Sequence, residues 1–473
     1  MLQGFDQKIA VFLADTAVTG VSNIFSMLGC SWSLATTPLS LNKVKSCALV
    51  AAAVTGFAAA AAQTPSDKPA LPWGGDPPAA PAYARAAAIT ALGRQIFFDR
   101  SLSASGAMSC ATCHDFANHF APANSLAVQA GGAKLDKSGT RATPGLTYVA
   151  STPFFTEHYY ESEDDGDESV DQGPVGGRTW DGRVNRAREQ AAIPLLAPNE
   201  MANADQAAVA ARAAAAPYAS QMRQIYGDAI FADAQRAFAA IGEALEAYQQ
   251  TPDEFGPFSS KFDAFLRGQT RLTPQEVRGL NAFNDPARGN CIHCHKSQLS
   301  PAGRLPMFTD SGFVAVGVPR NGEIPANADS NHFDLGACGP ERKDLANRPE
   351  FCGLFKAPSL RNVASRRSFY HNGVFHRLED AVAFYATRDT NPERWYPVGP
   401  DGKVRKFDDL PVEFQGNINY EPPFDRHAGE APAMSPQDIA DIVAFLGTLT
   451  DGFDLGNLNP ASRVRSPVRR QAR

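Results

Sequence analysis

The pentapeptide Cys-x-x-Cys-His occurs twice in this chain, as Cys110-Ala111-Thr112-Cys113-His114 and as Cys291-Ile292-His293-Cys294-His295. Chance would supply about 0.003 copies in a chain of this composition, so the pair carries chemistry. One chemistry uses every member of the motif. Haem c is held by thioethers from two thiols three residues apart, and the histidine that follows ligates the iron from the proximal side. A single helical turn presents both sulfurs and the imidazole to one porphyrin face. A redox dithiol or a zinc site is the rival reading, and each must explain the histidine after both pairs. The copies lie 181 residues apart, a domain-sized interval. The chain must therefore fold twice around a macrocycle.

The 473 residues predict two or three domains. The organisation expected is an N-terminal extension with signal peptide over 1–62, an N-terminal cytochrome c domain over 63–255, a C-terminal one over 265–455 and a tail over 456–473. The boundary falls near 251–270, at Thr251-Pro252-Asp253-Glu254-Phe255-Gly256-Pro257. Residues 63–85 are rich in Pro and Ala and read as irregular. Ala86 to Phe98 reads as a helix with Ile89, Leu92, Ile96 and Phe97 on one face. Residues 202–250 are Ala-rich and helical in pattern; Ile230, Phe231, Ala234, Phe238, Ile241 and Leu245 recur at helical spacing. Thr273-Pro274-Gln275-Glu276 and Ser435-Pro436-Gln437-Asp438 read as helix starts. Strand signals are few. The fold class expected is mainly α, with two cytochrome-c-like domains that each bind one covalent haem c.

Lys43 and Lys45 precede an apolar, Ala-rich run from Cys47 to Ala62, which ends at Gln63-Thr64-Pro65. That is a cleaved export signal by pattern. The alternative, a membrane anchor, needs about 20 apolar residues. Residues 1–42 stand awkwardly before such a signal, and Leu41 is a candidate true start. Export places the protein in the periplasm, where disulfides persist. Cys338 and Cys352 then read as a disulfide, with two free thiols as the alternative. The net charge of −6 and pI of about 5.9 leave no basic footprint for nucleic acid. Glu157 to Asp171 carries eight acidic residues and no basic ones. It reads as a solvated loop, with a docking patch for a basic electron donor or a cation site as alternatives.

Beyond the two motifs, several segments resemble one family. Phe97-Phe98-Asp99 leads into the first motif, and Trp180-Asp181-Gly182-Arg183, Glu189-Gln190-Ala191 and Pro198-Asn199-Glu200-Met201 follow. Phe355-Lys356-Ala357-Pro358-Ser359-Leu360-Arg361-Asn362-Val363 and Phe369-Tyr370-His371-Asn372-Gly373 come after the second motif. Together they are similar to the bacterial dihaem cytochrome c peroxidase/MauG superfamily, over about residues 85–450.

That resemblance implies roles residue by residue. The His114 haem is the peroxidatic one. The family places a Gln and a Glu at 10 and 20 residues past its Trp, here Gln190 and Glu200. Glu200 would be the general acid/base for peroxide and Gln190 would orient it. Taken alone, Glu200 reads as a carboxylate at a helix start. Trp180 matches the tryptophan that couples the two haems; a core tryptophan is the bland reading, and both can hold. The second haem would have His295 and a sixth ligand. A methionine is typical, but no Met lies between Met307 and Met434. Tyr385 stands where the MauG branch carries its axial tyrosine, and the alternative is a packed helix tyrosine. A phenolate is a hard donor that favours ferric and higher iron. Many relatives carry a distal histidine in a Gly-rich loop after the first motif; here Val128 to Lys134 has none, so that site is expected open. His119 lies too close to His114 in sequence to cap the opposite face, and His158 is an unsupported candidate. Ala142 stands where the family has an Asn that helps hold calcium, which leaves calcium doubtful, although carbonyls could serve. His371-Asn372-Gly373-Val374 replaces a commoner His-Asp-Gly-Ser.

The function expected is a periplasmic dihaem peroxidase that reduces hydrogen peroxide. Its electrons would come from a small donor such as a cytochrome c, or from side chains of a partner protein. A dihaem electron carrier without turnover is the alternative of another class. Glu200 and Gln190 argue against it, because a carrier needs no acid/base.

Overall fold

Alanine dominates the first helix, α1 (Ala79–Phe98), and alanine is the strongest helix former. The helix therefore begins at Ala79, inside the stretch expected to be irregular. Its predicted apolar face is the buried one: Ile89, Leu92, Ile96 and Phe97 all belong to the core. The computed structural model describes residues 79–160 and 169–457. The export signal, the candidate start at Leu41, the middle of the acidic segment and most of the tail lie outside the described residues.

The Ala-rich stretch after residue 202 is not one helix. It forms α3 (Gln206–Ala215), α4 (Ala219–Tyr226) and α5 (Ala234–Gln249), after α2 (Ala187–Leu196). Pro217 follows the end of α3, and Gly227 ends α4 with a φ of 98°. Asp233 then restarts the chain by accepting a hydrogen bond from the Arg236 N–H at 3.1 Å. Ile230 and Phe231 fall in the turn between, not on α5 as their spacing suggests. In the second half come α6 (Pro274–Asn284), α7 (Leu378–Thr387) and α8 (Pro436–Gly447). Both expected starts are capping boxes, Thr273 with Glu276 and Ser435 with Asp438. The described residues are mainly helical in their regular structure. They add two two-stranded antiparallel sheets: β1 (Ala130–Gly131) with β2 (Lys137–Ser138), and β3 (Phe313–Val314) with β4 (Phe355–Lys356). No helix among them is long and apolar enough to cross a membrane.

The two halves share a frame. In the first, α1 packs on α5; in the second, α6 packs on α8. Each crossing holds a glycine that no other residue could replace. A Cβ on Gly93 would lie 1.8 Å from the Ala244 carbonyl oxygen, and one on Gly279 would lie 1.9 Å from that of Asp441. Without side chains there, the backbones meet directly. The first apolar core runs from Ile89 to Phe255, the second from Phe262 to Leu449. A small third cluster surrounds a disulfide between Cys338 and Cys352.

Candidate active site

Each Cys-x-x-Cys-His turn follows directly from one of those helix crossings. Cys110–Cys113 is a single α-turn, whereas Cys291–His293 is a 3-10 turn. In both, the histidine N–H donates to the carbonyl of the first cysteine, at 2.9 Å for His114 and 2.8 Å for His295. The imidazoles are held by one device used twice. His114 Nδ1 lies 3.1 Å from the Phe120 carbonyl oxygen, and His295 Nδ1 lies 2.9 Å from that of Phe308. This bond assigns the proton to Nδ1 and leaves Nε2 as the free lone pair. Phe120 and Phe308 both adopt left-handed backbone, with φ of 56° and 55°. That turn, uncommon and costly for a bulky residue, aims the carbonyl at the histidine while the ring stays in the core. Burial pushes the His114 imidazole down to about 4, so it stays neutral. His295 is lowered for the same reason. The four motif cysteines form no disulfide.

One cavity of about 1640 Å³ joins both turns. Its wall includes Cys113, His114, Cys291, Cys294 and His295. Gln190, from α2, and Glu200, from the turn after α2, also line it. Burial raises the Glu200 carboxyl above its ordinary range; the Arg183 guanidinium opposes this and the Glu341 carboxylate adds to it. Arg183 is fixed by the fully buried Asp181 at 2.7 Å and reaches Glu341 at 3.5 Å. The Gly-rich loop without a histidine packs on the backbone of Glu200. The Gly132 N–H donates to the Glu200 carbonyl at 2.7 Å. A Cβ on Gly131 would lie 2.3 Å from the Asn199 carbonyl oxygen and 2.8 Å from Glu200 Cα.

Trp180 is tied to both halves. Its indole N–H donates to the Ala142 carbonyl at 2.7 Å. Ala142 in turn donates its N–H to the His371 carbonyl at 2.7 Å, and the Trp180 carbonyl accepts from Lys356 N–H at 2.9 Å. Ala142, which departs from the family's Asn, thus serves through its backbone. On α7, Tyr385 lines the cavity and stacks against Phe424, with ring centroids 5.3 Å apart. Burial pushes its phenol well up, against the opposing Arg388 cation. His119 lines the cavity too. His158 does not. It is exposed and paired with Asp171 at 2.5 Å, which removes it as a distal ligand. At the start of the acidic segment, Glu157 pairs with Arg348.

The chain is 35% identical to the methylamine utilization protein MauG of Paracoccus denitrificans over 377 residues, 77% of this chain and 89% of that protein. It belongs to the di-haem cytochrome c peroxidase/MauG family. The sequence pattern described as di-haem cytochrome c peroxidase matches residues 87–271. The crystal structure of the dihaem peroxidase BthA from Burkholderia thailandensis superimposes with a TM-score of 0.68 at 39% identity, covering 80% of this chain and 90% of that one. The cytochrome c551 peroxidase of Nitrosomonas europaea is 26% identical over 62% of this chain and 70% of that protein. The chain is therefore an oxidoreductase of the dihaem class.

The residues of this family member fit two haems. The cavity exceeds the roughly 300–1,000 Å³ of a small-ligand pocket. Each Cys-x-x-Cys-His turn commits Nδ1 of its imidazole to a carbonyl and keeps Nε2 to offer an iron. The wall also carries the half-buried cations Lys356 and Arg366, whose side chains donate to backbone carbonyls, suited to a group that brings carboxylates. Sequence reasoning missed Arg183 and Gly131 as parts of the site. Arg183 stood inside a quoted motif, but only the fold shows it between Asp181 and Glu341. The contact of Gly131 with Glu200 spans 69 positions and leaves no local pattern.

Proposed function

We propose that the chain is a periplasmic peroxidase that reduces hydrogen peroxide with two covalently attached haems c. Thioethers would form at Cys110 and Cys113 for one haem and at Cys291 and Cys294 for the other. His114 and His295 would be their proximal ligands, and Tyr385 the sixth ligand of the second. A haem held at His114 would supply the redox-active iron that peroxide reduction needs. The chain's own residues manage protons and position. The Glu200 carboxylate would take a proton from one peroxide oxygen and return it to the other, which leaves as water. The Gln190 amide fixes the peroxide's orientation. Trp180 offers an oxidisable ring on the path between the halves. Two electrons and two protons complete each turnover, giving two waters per peroxide. Two cytochrome-c-like domains, 63–255 and 265–455, would carry one haem each.

One observation carries this reading: Glu200 and Gln190 share a cavity with both Cys-x-x-Cys-His turns. A second reading, oxidation of side chains on a partner protein, is favoured by the 35% identity to MauG and by a tyrosine, not a methionine, on α7. Stopped-flow visible and near-infrared spectroscopy after one equivalent of peroxide tests the proposal. Rapid change in the diferric protein is expected, because no histidine of the Gly-rich loop blocks the first site. Reaction only after one-electron reduction would overturn the open first site and the role of Tyr385.

A further inference from the structure

Ala381, Phe384 and Tyr385 lie on α7, and Arg388 caps its end. Their spacing of i, i+3, i+4 and i+7 puts all four on one face. Two rings from outside the helix lie close to the plane of Tyr385. Phe424 stacks on it, with centroids 5.3 Å and planes 26° apart. Tyr370 lies at 5.9 Å and 31°. All three rings line the cavity.

Each supporting ring is itself fixed, and fixed to α7. The Arg388 guanidinium covers Phe424, 3.7 Å from the ring centroid. Arg388 is fully buried and held in place. It donates to the Val316 and Asn419 carbonyls at 2.9 Å each and to Asp389 at 2.7 Å. A guanidinium held over a ring away from water is a firm contact. Tyr370 meets the edges of Phe375 and Phe384 at 5.5 and 5.7 Å. Its hydroxyl donates to the Ala381 carbonyl at 3.0 Å, one helical turn before Tyr385. The helix thus grips its own tyrosine through two partners. To swing its phenol away, Tyr385 must push Phe424 from under Arg388, or Tyr370 from its hydrogen bond. Close-packed interiors resist such moves.

We propose that Phe424 and Tyr370 are positioning residues. They hold the Tyr385 phenol in one orientation, which keeps the sixth position of the second haem filled and confines external ligands to the His114 haem. This inference rests on the reading of Tyr385 as that sixth ligand.

Cyanide titration of the diferric holoenzyme, followed in the Soret band and by electron paramagnetic resonance, tests it. Haem content by pyridine haemochromogen is measured first, so that every variant is compared with both haems attached. The wild type should take up one cyanide per chain. Phe424→Leu and Tyr370→Leu remove one ring each and should take up a second, at the haem whose resonance the wild type leaves unchanged. Phe262→Leu removes a ring of the same core that makes no ring contact with Tyr385, and should stay at one. Tyr385→Phe has no oxygen to offer and should take up two. One cyanide in Phe424→Leu and in Tyr370→Leu, with two in Tyr385→Phe, would overturn the supports and leave the ligand standing. A second cyanide in Phe262→Leu would assign the gain to general loosening, and two in the wild type would show the position open; either overturns the proposal. One cyanide in Tyr385→Phe would instead sink the reading of Tyr385 as the ligand.

Discussion

The two halves hold their histidines alike and finish the opposite side of the cavity differently. Each uses a glycine at a helix crossing, a Cys-x-x-Cys-His turn, and a core phenylalanine with φ near 55° whose carbonyl fixes Nδ1. Beyond that frame they diverge. The first half presents a half-buried glutamate with a raised proton affinity and an amide. The second presents Tyr385, stacked on Phe424 and packed beside Tyr370 at 5.9 Å between centroids. One frame thus supports a wall that carries a carboxyl and an amide and a wall faced with a stacked tyrosine. The difference lies in α2 and its following turn against α7, not in the motifs.

The largest expected effect breaks that contrast at the first wall. Glu200→Gln keeps the shape and removes the proton acceptor. General acid/base groups contribute roughly 10²–10⁴-fold. Stopped-flow peroxide reaction should slow by about that factor while the spectrum of the second haem stays as in the wild type. Peroxide consumption at the wild-type rate would remove Glu200 from the mechanism. The reciprocal variant, Tyr385→Phe, should leave the first haem's peroxide-binding step intact. It removes a hard oxygen donor, so the second haem should become easier to reduce. Potentiometry checks the direction, and an unchanged second haem would make Tyr385 a packing residue.

Much of the frame was readable in the sequence because its parts are local. Covalent haem attachment needs thiols three residues apart, so the motif must be contiguous. The buried face of α1 and the capping boxes at Thr273 and Ser435 are periodic or adjacent signals. The breaks in the Ala-rich stretch were not legible because alanine suits every helix register; Pro217, Gly227 and Asp233 decide where they fall. Phe120 and Phe308 could not be read, since nothing in a phenylalanine announces a left-handed backbone. The walls of the cavity were legible only through the family resemblance, because their residues meet across the fold.

Gly131→Ala sharpens the comparison at a smaller scale. Its Cβ would press on Asn199 and Glu200, and overpacking of this kind costs about 1–3 kcal/mol. If that strain falls on the placement of Glu200, the peroxide reaction should slow by about tenfold or more. Gly106→Ala is the matched control, since a Cβ there meets nothing within 4 Å, although its φ of 65° carries its own small strain. Equal behaviour of the two variants would mean that the loop does not set the carboxylate.

The smallest effect is a pair of opposite shifts. Glu200 accepts a proton as carboxylate, so the peroxide rate should fall as pH drops through its pKa. Burial raises that pKa above the ordinary glutamate value of 4.5, which moves the acid limb up. Arg183 favours the carboxylate and Glu341 disfavours it. Arg183→Met should therefore move the limb to higher pH, and Glu341→Gln to lower pH, each by up to about one unit, or ~1.4 kcal/mol. Asp181 keeps Arg141 as a partner in the first variant, so the fold should hold. No such displacement should appear in the titration of the second haem, whose wall contains neither residue's partner carboxyl. Shifts of the same sign would show that the limb reports repacking of the cavity mouth. Opposite signs tie the acid limb to the charge around Glu200, and so to the one wall of the cavity that the second half does not reproduce.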